Sequence, residues 1–211
     1  MGMIFLRRWS LGLMVALAVG ALQAAPTPGK DKPPRESAKS RKVQKPASQL
    51  IAKPSPPKVI PRVLDRATPE NTRIEVSLGK QRAFLIVEDE IAIDAPISSG
   101  KRSGMTPTGT FTILEKDADH RSSLYGDFVS RKNGEVIRRG VSAKIDSAPS
   151  GAAFRGAPMR WFLRITWEGV GMHTGILPGY PASHGCIRLP DDIARIFYDR
   201  TRIGTEVRVS E

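Results

Sequence analysis

Cysteine is almost missing from this 211-residue chain, which has one, and histidine is nearly as scarce, with three. A lone cysteine cannot close an intramolecular disulfide, so the fold must hold through its core and its backbone ladders. Long apolar runs are also absent. The apolar, nearly uncharged run over residues 9 to 22 is 14 residues long, short of the roughly 20 residues that span a bilayer. Positive charge is plentiful but unevenly placed. Of the formal +12, Arg7 and Arg8 supply two, and residues 26 to 62 hold ten basic against two acidic side chains, which leaves +2 for residues 63 to 211. A nucleic-acid binder would carry its charge on a folded face with interleaved aromatics. Aromatic residues make up only 6% of this chain, and no nucleic-acid partner is expected.

The scarce reactive residues are gathered in one place. Gly171-Met172-His173-Thr174-Gly175 is followed by Ser183-His184-Gly185-Cys186-Ile187-Arg188-Leu189, so two of the three histidines and the only cysteine share one stretch. Cysteine attacks as its thiolate, and a free thiol with a pKa of about 8.5 needs a base or a positive charge beside it. His184 and Cys186 would leave one face of an extended backbone. His173 reaches Cys186 only if the loop through Pro178, Gly179, Tyr180 and Pro181 folds back, and those residues favour turns. Gly185 permits a sharp bend and a close approach to main-chain N–H groups, as an oxyanion hole requires.

At these residues the chain resembles the L,D-transpeptidase catalytic domain, the YkuD-type family of bacterial cell-wall enzymes. Its pattern of an upstream His, then Ser/Thr-His-Gly-Cys, a small apolar residue and Arg or Asn is matched by His173, Ser183, His184, Gly185, Cys186, Ile187 and Arg188. A second segment, Ser99-Gly100 with Thr106-Pro107-Thr108-Gly109-Thr110-Phe111, also looks like the family, and the resemblance covers roughly residues 72 to 209. It implies a β-rich fold with Cys186 as nucleophile, His173 as general base and acid, and the backbone from His184 to Cys186 as the oxyanion site. It also implies the substrate, a peptidoglycan stem peptide that serves as acyl donor and acceptor. Cys186 would form a thioester and release D-Ala; a neighbouring stem would resolve it as a 3-3 crosslink, or a lysine of a wall-anchored protein would. No metal or organic cofactor is implied.

The rest of the chain fits an exported protein. Arg7 and Arg8, the run that follows and Ala24-Ala25 predict a signal peptide over residues 1 to 25, with an uncleaved N-terminal anchor as the alternative. The expected location is the periplasm or cell envelope. Residues 26 to 62 hold nine of the seventeen prolines and no aromatic residue, a composition unable to bury enough apolar surface to order itself. They read as a disordered basic tether, which either contacts anionic envelope polymers or is a solvated spacer.

Residues 63 to 211 are one catalytic domain's worth of chain. Alternation at Ile74, Val76 and Leu78, then at Ile91, Ile93, Ala95 and Ile97, predicts a meander of strands. Residues 110 to 114 give another. Residues 117 to 157 show little periodicity and are expected to be a long irregular segment, either a lid or a surface insertion with His120 in an exposed loop. Residues 159 to 166 and 170 to 172 read as two strands, so that His173 falls at a strand end. Pro190 at a first helical position, Asp191 and Asp192 behind it, and Ile193, Ile196 and Phe197 at helical spacing predict one well-defined C-terminal helix; Gly204 stops it and residues 206 to 209 close the sheet. The expected fold is mostly β.

Other readings of the reactive stretch use the same residues. His173, His184, Cys186 and Asp191 could ligate zinc, although His-x-Cys is not a usual zinc pairing. Water could resolve the thioester, making an L,D-carboxypeptidase, or the domain could bind peptidoglycan without turnover. Arg188 could support the turn or hold a substrate carboxylate through its planar fork. Ser183 is expected to bond to backbone near the nucleophile.

Overall fold

The computed structural model describes residues 54 to 211. The signal segment expected over residues 1 to 25 and most of the tether lie outside the described residues. Thirteen strands and two helices follow in the order β1 (Lys58–Val59), α1 (Pro61–Leu64), β2 (Thr72–Ser77), β3 (Arg82–Val87), β4 (Glu90–Pro96), β5 (Gly109–Thr112), β6 (Glu115–Asp117), β7 (Arg121–Ser130), β8 (Val136–Ser142), β9 (Ala152–Pro158), β10 (Phe162–Arg164), β11 (Gly171–Thr174), β12 (Ile187–Leu189), α2 (Asp191–Asp199) and β13 (Glu206–Ser210). The mostly β expectation holds, with α2 as the C-terminal helix.

The strands form three sheets, in the orders β1-β4-β3-β2-β13-β5, β12-β11-β10-β6 and β8-β7-β9. In the first, β2 alternates as the sequence implies: Ile74 and Val76 are buried while Arg73, Glu75 and Ser77 are partly exposed. The alternation expected for residues 91 to 97 is broken at its start. A register shift between Leu85 and Ile86 pairs Ile86 with Ile91, so Ile91 is 44% exposed and Ala92 takes the buried position; one added residue turns every following side chain to the other face.

The expected end of the tether moves. Lys58 and Val59 pair with Asp94 and Ile93 of β4, and α1 buries Val63. Residues 58 to 62 therefore belong to the folded body, because a free sheet edge accepts even a two-residue strand when an apolar residue just beyond it can be buried.

One core joins the first two sheets to α2. Ile74, Leu85 and Ile93 from one sheet meet Leu163, Met172 and Ile187 from the other, with Ile193, Ala194 and Phe197 from the helix. Pro190 sits one place earlier than expected, at the N-cap with ψ 148°, and Asp191 and Asp192 form the first turn. Their carboxylates suit the positive end of the helix dipole. β13 enters between β2 and β5, parallel to the former and antiparallel to the latter.

The segment from 117 to 157 is not irregular. It forms the three-stranded antiparallel sheet around β7 and carries a core of its own, Phe128, Val141 and Ala152, with Phe154 packed against it. Its periodicity is hidden by three register shifts along β7 and by one pair of glycines that lie across from each other, Gly126 and Gly156.

Phe197 is fully buried between helix and sheets. Replacing Phe197 by Ala is expected to cost about 3 to 5 kcal/mol, whereas Ile203→Ala, at a side chain 63% exposed, is expected to change little; denaturant titration of both variants checks the contrast.

Candidate active site

His173 and Cys186 reach one place because their strands are neighbours. β11 and β12 pair in parallel, Met172 with Ile187 and His173 with Arg188, and Cys186 precedes β12 by one residue. The 13 positions between His173 and Cys186 in sequence are thereby closed by one strand spacing. The returning loop is fastened to the first sheet. Ser98 and Arg188 exchange backbone hydrogen bonds of 3.0 and 3.1 Å, and the Ala182 and Ser183 N–H groups donate to Ser99 O at 3.0 and 2.9 Å.

Side chains complete the brace. Thr106 Oγ1 accepts the Gly100 N–H at 2.9 Å and donates to Gly185 O at 2.7 Å. Ser183 Oγ accepts the Gly185 N–H at 3.0 Å and donates to Cys186 O at 2.5 Å. Gly185 has φ +139°, and a Cβ there would stand 3.0 Å from Met105 O, so the position requires glycine on both grounds. The segment with Thr106, Pro107 and Gly109 thus supports the Cys186 loop directly, through a hydroxyl that the sequence offers only as part of a turn.

His173 is buried, 7% exposed. Its Nδ1 lies 2.6 Å from Thr174 O, and since a carbonyl only accepts, Nδ1 carries the proton and Nε2 keeps its lone pair. Burial lowers the His173 pKa to about 4, with Arg188 and His120 acting the same way against the Thr174 bond. The Cys186 thiol donates to Gly169 O at 3.6 Å. Burial pushes its pKa up, partly offset by the Gly171 N–H and by Arg188 and Arg164. At neutral pH the pair is a neutral thiol beside a neutral imidazole.

His184 does not act on the thiol. Gly185 turns the backbone out of the extended form, and the His184 ring stacks on Tyr125 of β7 at 4.2 Å and 15°. Lys101 Nζ donates to His184 Nε2 at 3.1 Å. Burial, then the charges of Lys101 and Arg188, lower the His184 pKa, so this histidine is a neutral spacer between the Cys186 loop and the third sheet. The stem of Arg188 packs over Gly175, where an added Cβ would meet its Cγ and Cδ at 2.7 and 2.8 Å. Arg188 also lines a cavity of about 770 Å³, together with His173, Ser183, His184, Gly185 and Cys186.

The same cavity is walled by residues 122 to 125 of the third sheet and by His120. His120 is no loose loop residue: it stacks on Phe162 at 4.2 Å and its Nδ1 lies 3.0 Å from Asp117 Oδ2. The zinc set of His173, His184, Cys186 and Asp191 is not assembled; Asp191 instead accepts the Thr174 hydroxyl at 2.9 Å. Among the described residues, the three whose ligand atoms lie within 4.8 Å of one another are Glu115, Asp117 and His120, and there Glu115 is paired with the Arg164 guanidinium at 2.5 Å, an unfavourable neighbour for a cation.

Two outcomes follow from these protonation states. With a folded pKa near 4 against an ordinary 6.5, His173 takes up its proton in the unfolded chain first as pH falls. Its contribution is complete above about pH 6.5 and is lost as pH falls through 4, an effect of about 3 kcal/mol; Tm measured across that window should fall more steeply for the unmutated protein than for His173→Gln. Alkylation of Cys186 by iodoacetamide should keep rising above pH 9, and a plateau near pH 6 would contradict the neutral pair.

A model of the L,D-transpeptidase catalytic domain family (YkuD) matches residues 71 to 209. Among solved structures, an L,D-transpeptidase from Mycobacterium smegmatis is 27% identical with a TM-score of 0.49, over 67% of this chain and 59% of that one. The L,D-transpeptidase LdtMt1 in complex with imipenem is 23% identical with a TM-score of 0.50, over 66% of this chain and 59% of that one. An L,D-transpeptidase from Xylanimonas cellulosilytica is 20% identical with a TM-score of 0.48, over 79% of this chain and 70% of that one. The chain spans about six tenths of the length of the first two. A search of curated proteins returned no match. The family match covers well over half of the sequence and includes both the His173 strand and the Cys186 loop, and the chain belongs to the L,D-transpeptidase catalytic domain (YkuD) family.

Proposed function

We propose that this protein is a peptidoglycan L,D-transpeptidase that works through a Cys186 thioester. The observation that carries the reading is that a neutral His173, with its Nε2 lone pair free, and the Cys186 thiol line one open cavity. In this reading the thiol proton passes to His173 Nε2 as sulfur attacks the carbonyl of the third stem residue, typically a diamino acid. The carbon–nitrogen bond to D-Ala then breaks and His173 returns the proton to the departing amine, the usual division of labour between nucleophile and base. The side-chain amine of a second stem, or a protein lysine, attacks the thioester, loses its proton to His173 and releases the thiolate, which is reprotonated.

The Gly185 N–H is occupied by Ser183 Oγ, so the amides of His184 and Cys186 are the donors proposed to receive the oxyanion. Ser183 and Gly185 keep that turn in shape. The proposed site of action is the periplasm or cell envelope, supported by the Arg7-Arg8 signal pattern and the Pro-rich tether.

Mass spectrometry of the protein mixed with purified disaccharide-tetrapeptide tests the reading. Loss of D-Ala with a crosslinked dimer is expected for the unmutated protein and neither for Cys186→Ala, while His173→Gln should lower kcat by about 100-fold or more. Loss of D-Ala without a dimer, with stem acceptor in excess, would indicate hydrolysis. An unchanged tetrapeptide with a folded protein would sink the enzyme reading and favour a binding module.

A further inference from the structure

A second cavity, of about 500 Å³, is lined by His184 and by strands of the third sheet. Arg121, Arg155 and Arg188 line it, and Arg188 also faces the catalytic cavity, so the two spaces share a charged wall. The origin of the space is visible in the strands. β7 and β9 lose register between Arg121 and Gly126, and Gly126 and Gly156 touch backbone to backbone, an added Cβ at Gly156 meeting Ser122 O at 2.0 Å. No side chain can grow from that floor.

The charge is uncompensated. Arg121 gives one N–H to Gly156 O at 3.0 Å and keeps its remaining donors. Among the described residues, no carboxylate lies within ion-pair distance of Arg121, Arg155 or Arg188. The single acid lining the cavity, Asp127, is turned to Arg139 at 3.9 Å and to the Gly140 N–H at 3.0 Å. Burial, then Lys101 on its Nε2, keeps the His184 ring neutral, so His184 adds bulk to the wall while the arginines carry the charge. Guanidinium forks with free donors fit planar carboxylates.

We propose that this cavity is a carboxylate-binding subsite, which takes a free carboxylate of a peptidoglycan stem while Cys186 acts on the neighbouring carbonyl. The inference rests on the stem-peptide reading of the cleft and names the part of the substrate that Arg121 and Arg155 hold. The carboxylate belongs either to the donor stem or to the acceptor stem. Its chemistry is the same in both cases, and Arg188 links the subsite to the place of reaction.

Binding and turnover test this separately. In full-length Cys186→Ala, the tetrapeptide with free side carboxylates should bind about tenfold more tightly than its amidated form by calorimetry. Arg121→Gln with Arg155→Gln should abolish that difference, and Arg155→Lys alone should keep part of it. Equal affinity for the two peptides, or a preference that survives in the double variant, overturns the proposal. Turnover by the unmutated protein, with amidated donor and free acceptor and then the reverse, assigns the carboxylate to the stem whose amidation raises KM; insensitivity in both arms overturns the proposal as well. Carboxylate-selective binding without D-Ala release would leave the subsite standing and count against the transpeptidase reading instead.

Discussion

The parallel pairing of β11 with β12 is the contact on which the site depends. It sets His173 on one strand against Arg188 on the next, and it can do so only because the chain between them is tied to Ser98, Ser99 and Gly100. A loop of this kind, left to itself, would sample many returns, each of them placing Cys186 differently. Backbone ladders on two sides, with the Ser183 and Thr106 hydroxyls at the turn, reduce those returns to one. The Cys186 thiol is therefore held by rigid sheet edges, which is how precise positioning is usually achieved.

Burial does the electrostatic work. The same enclosure that lowers the His173 pKa raises that of Cys186, because neither charged form is solvated there. The resting pair is neutral, and in the proposed reaction the imidazole acts as a base at the moment of attack. The Thr174 carbonyl selects the tautomer that makes this feasible. Around this apolar pair the charged groups stand at the rim, Arg188 between the two cavities and Lys101 on the outer nitrogen of His184.

The third sheet gives the cleft its outer wall. Through Tyr125 it leans on His184, and through its own small core around Phe128 it keeps that wall folded. Gly126 and Gly156 let two strands touch where side chains would otherwise fill the space. A cleft with two cavities that share His184 and Arg188 is the result.

How much of this was legible from residues alone differs by kind. Local pattern decided a good deal: alternation at Ile74 and Val76 marks a strand, spacing at Ile193 and Phe197 marks a helix, and the clustering of His173, His184 and Cys186 marks the site, because period and residue chemistry are properties of short stretches. Long-range pairing left no such trace. The bulge that exposes Ile91, the ordered sheet within residues 117 to 157, the edge strand at Lys58 and Val59, and the Thr106 brace all depend on partners distant in sequence. The same holds for which histidine faces the thiol and for the company of Arg121, Arg155 and Arg188. A sequence can specify which side chains are available; only the packed sheets decide which of them meet, because burial and hydrogen-bond satisfaction are settled by the whole chain at once.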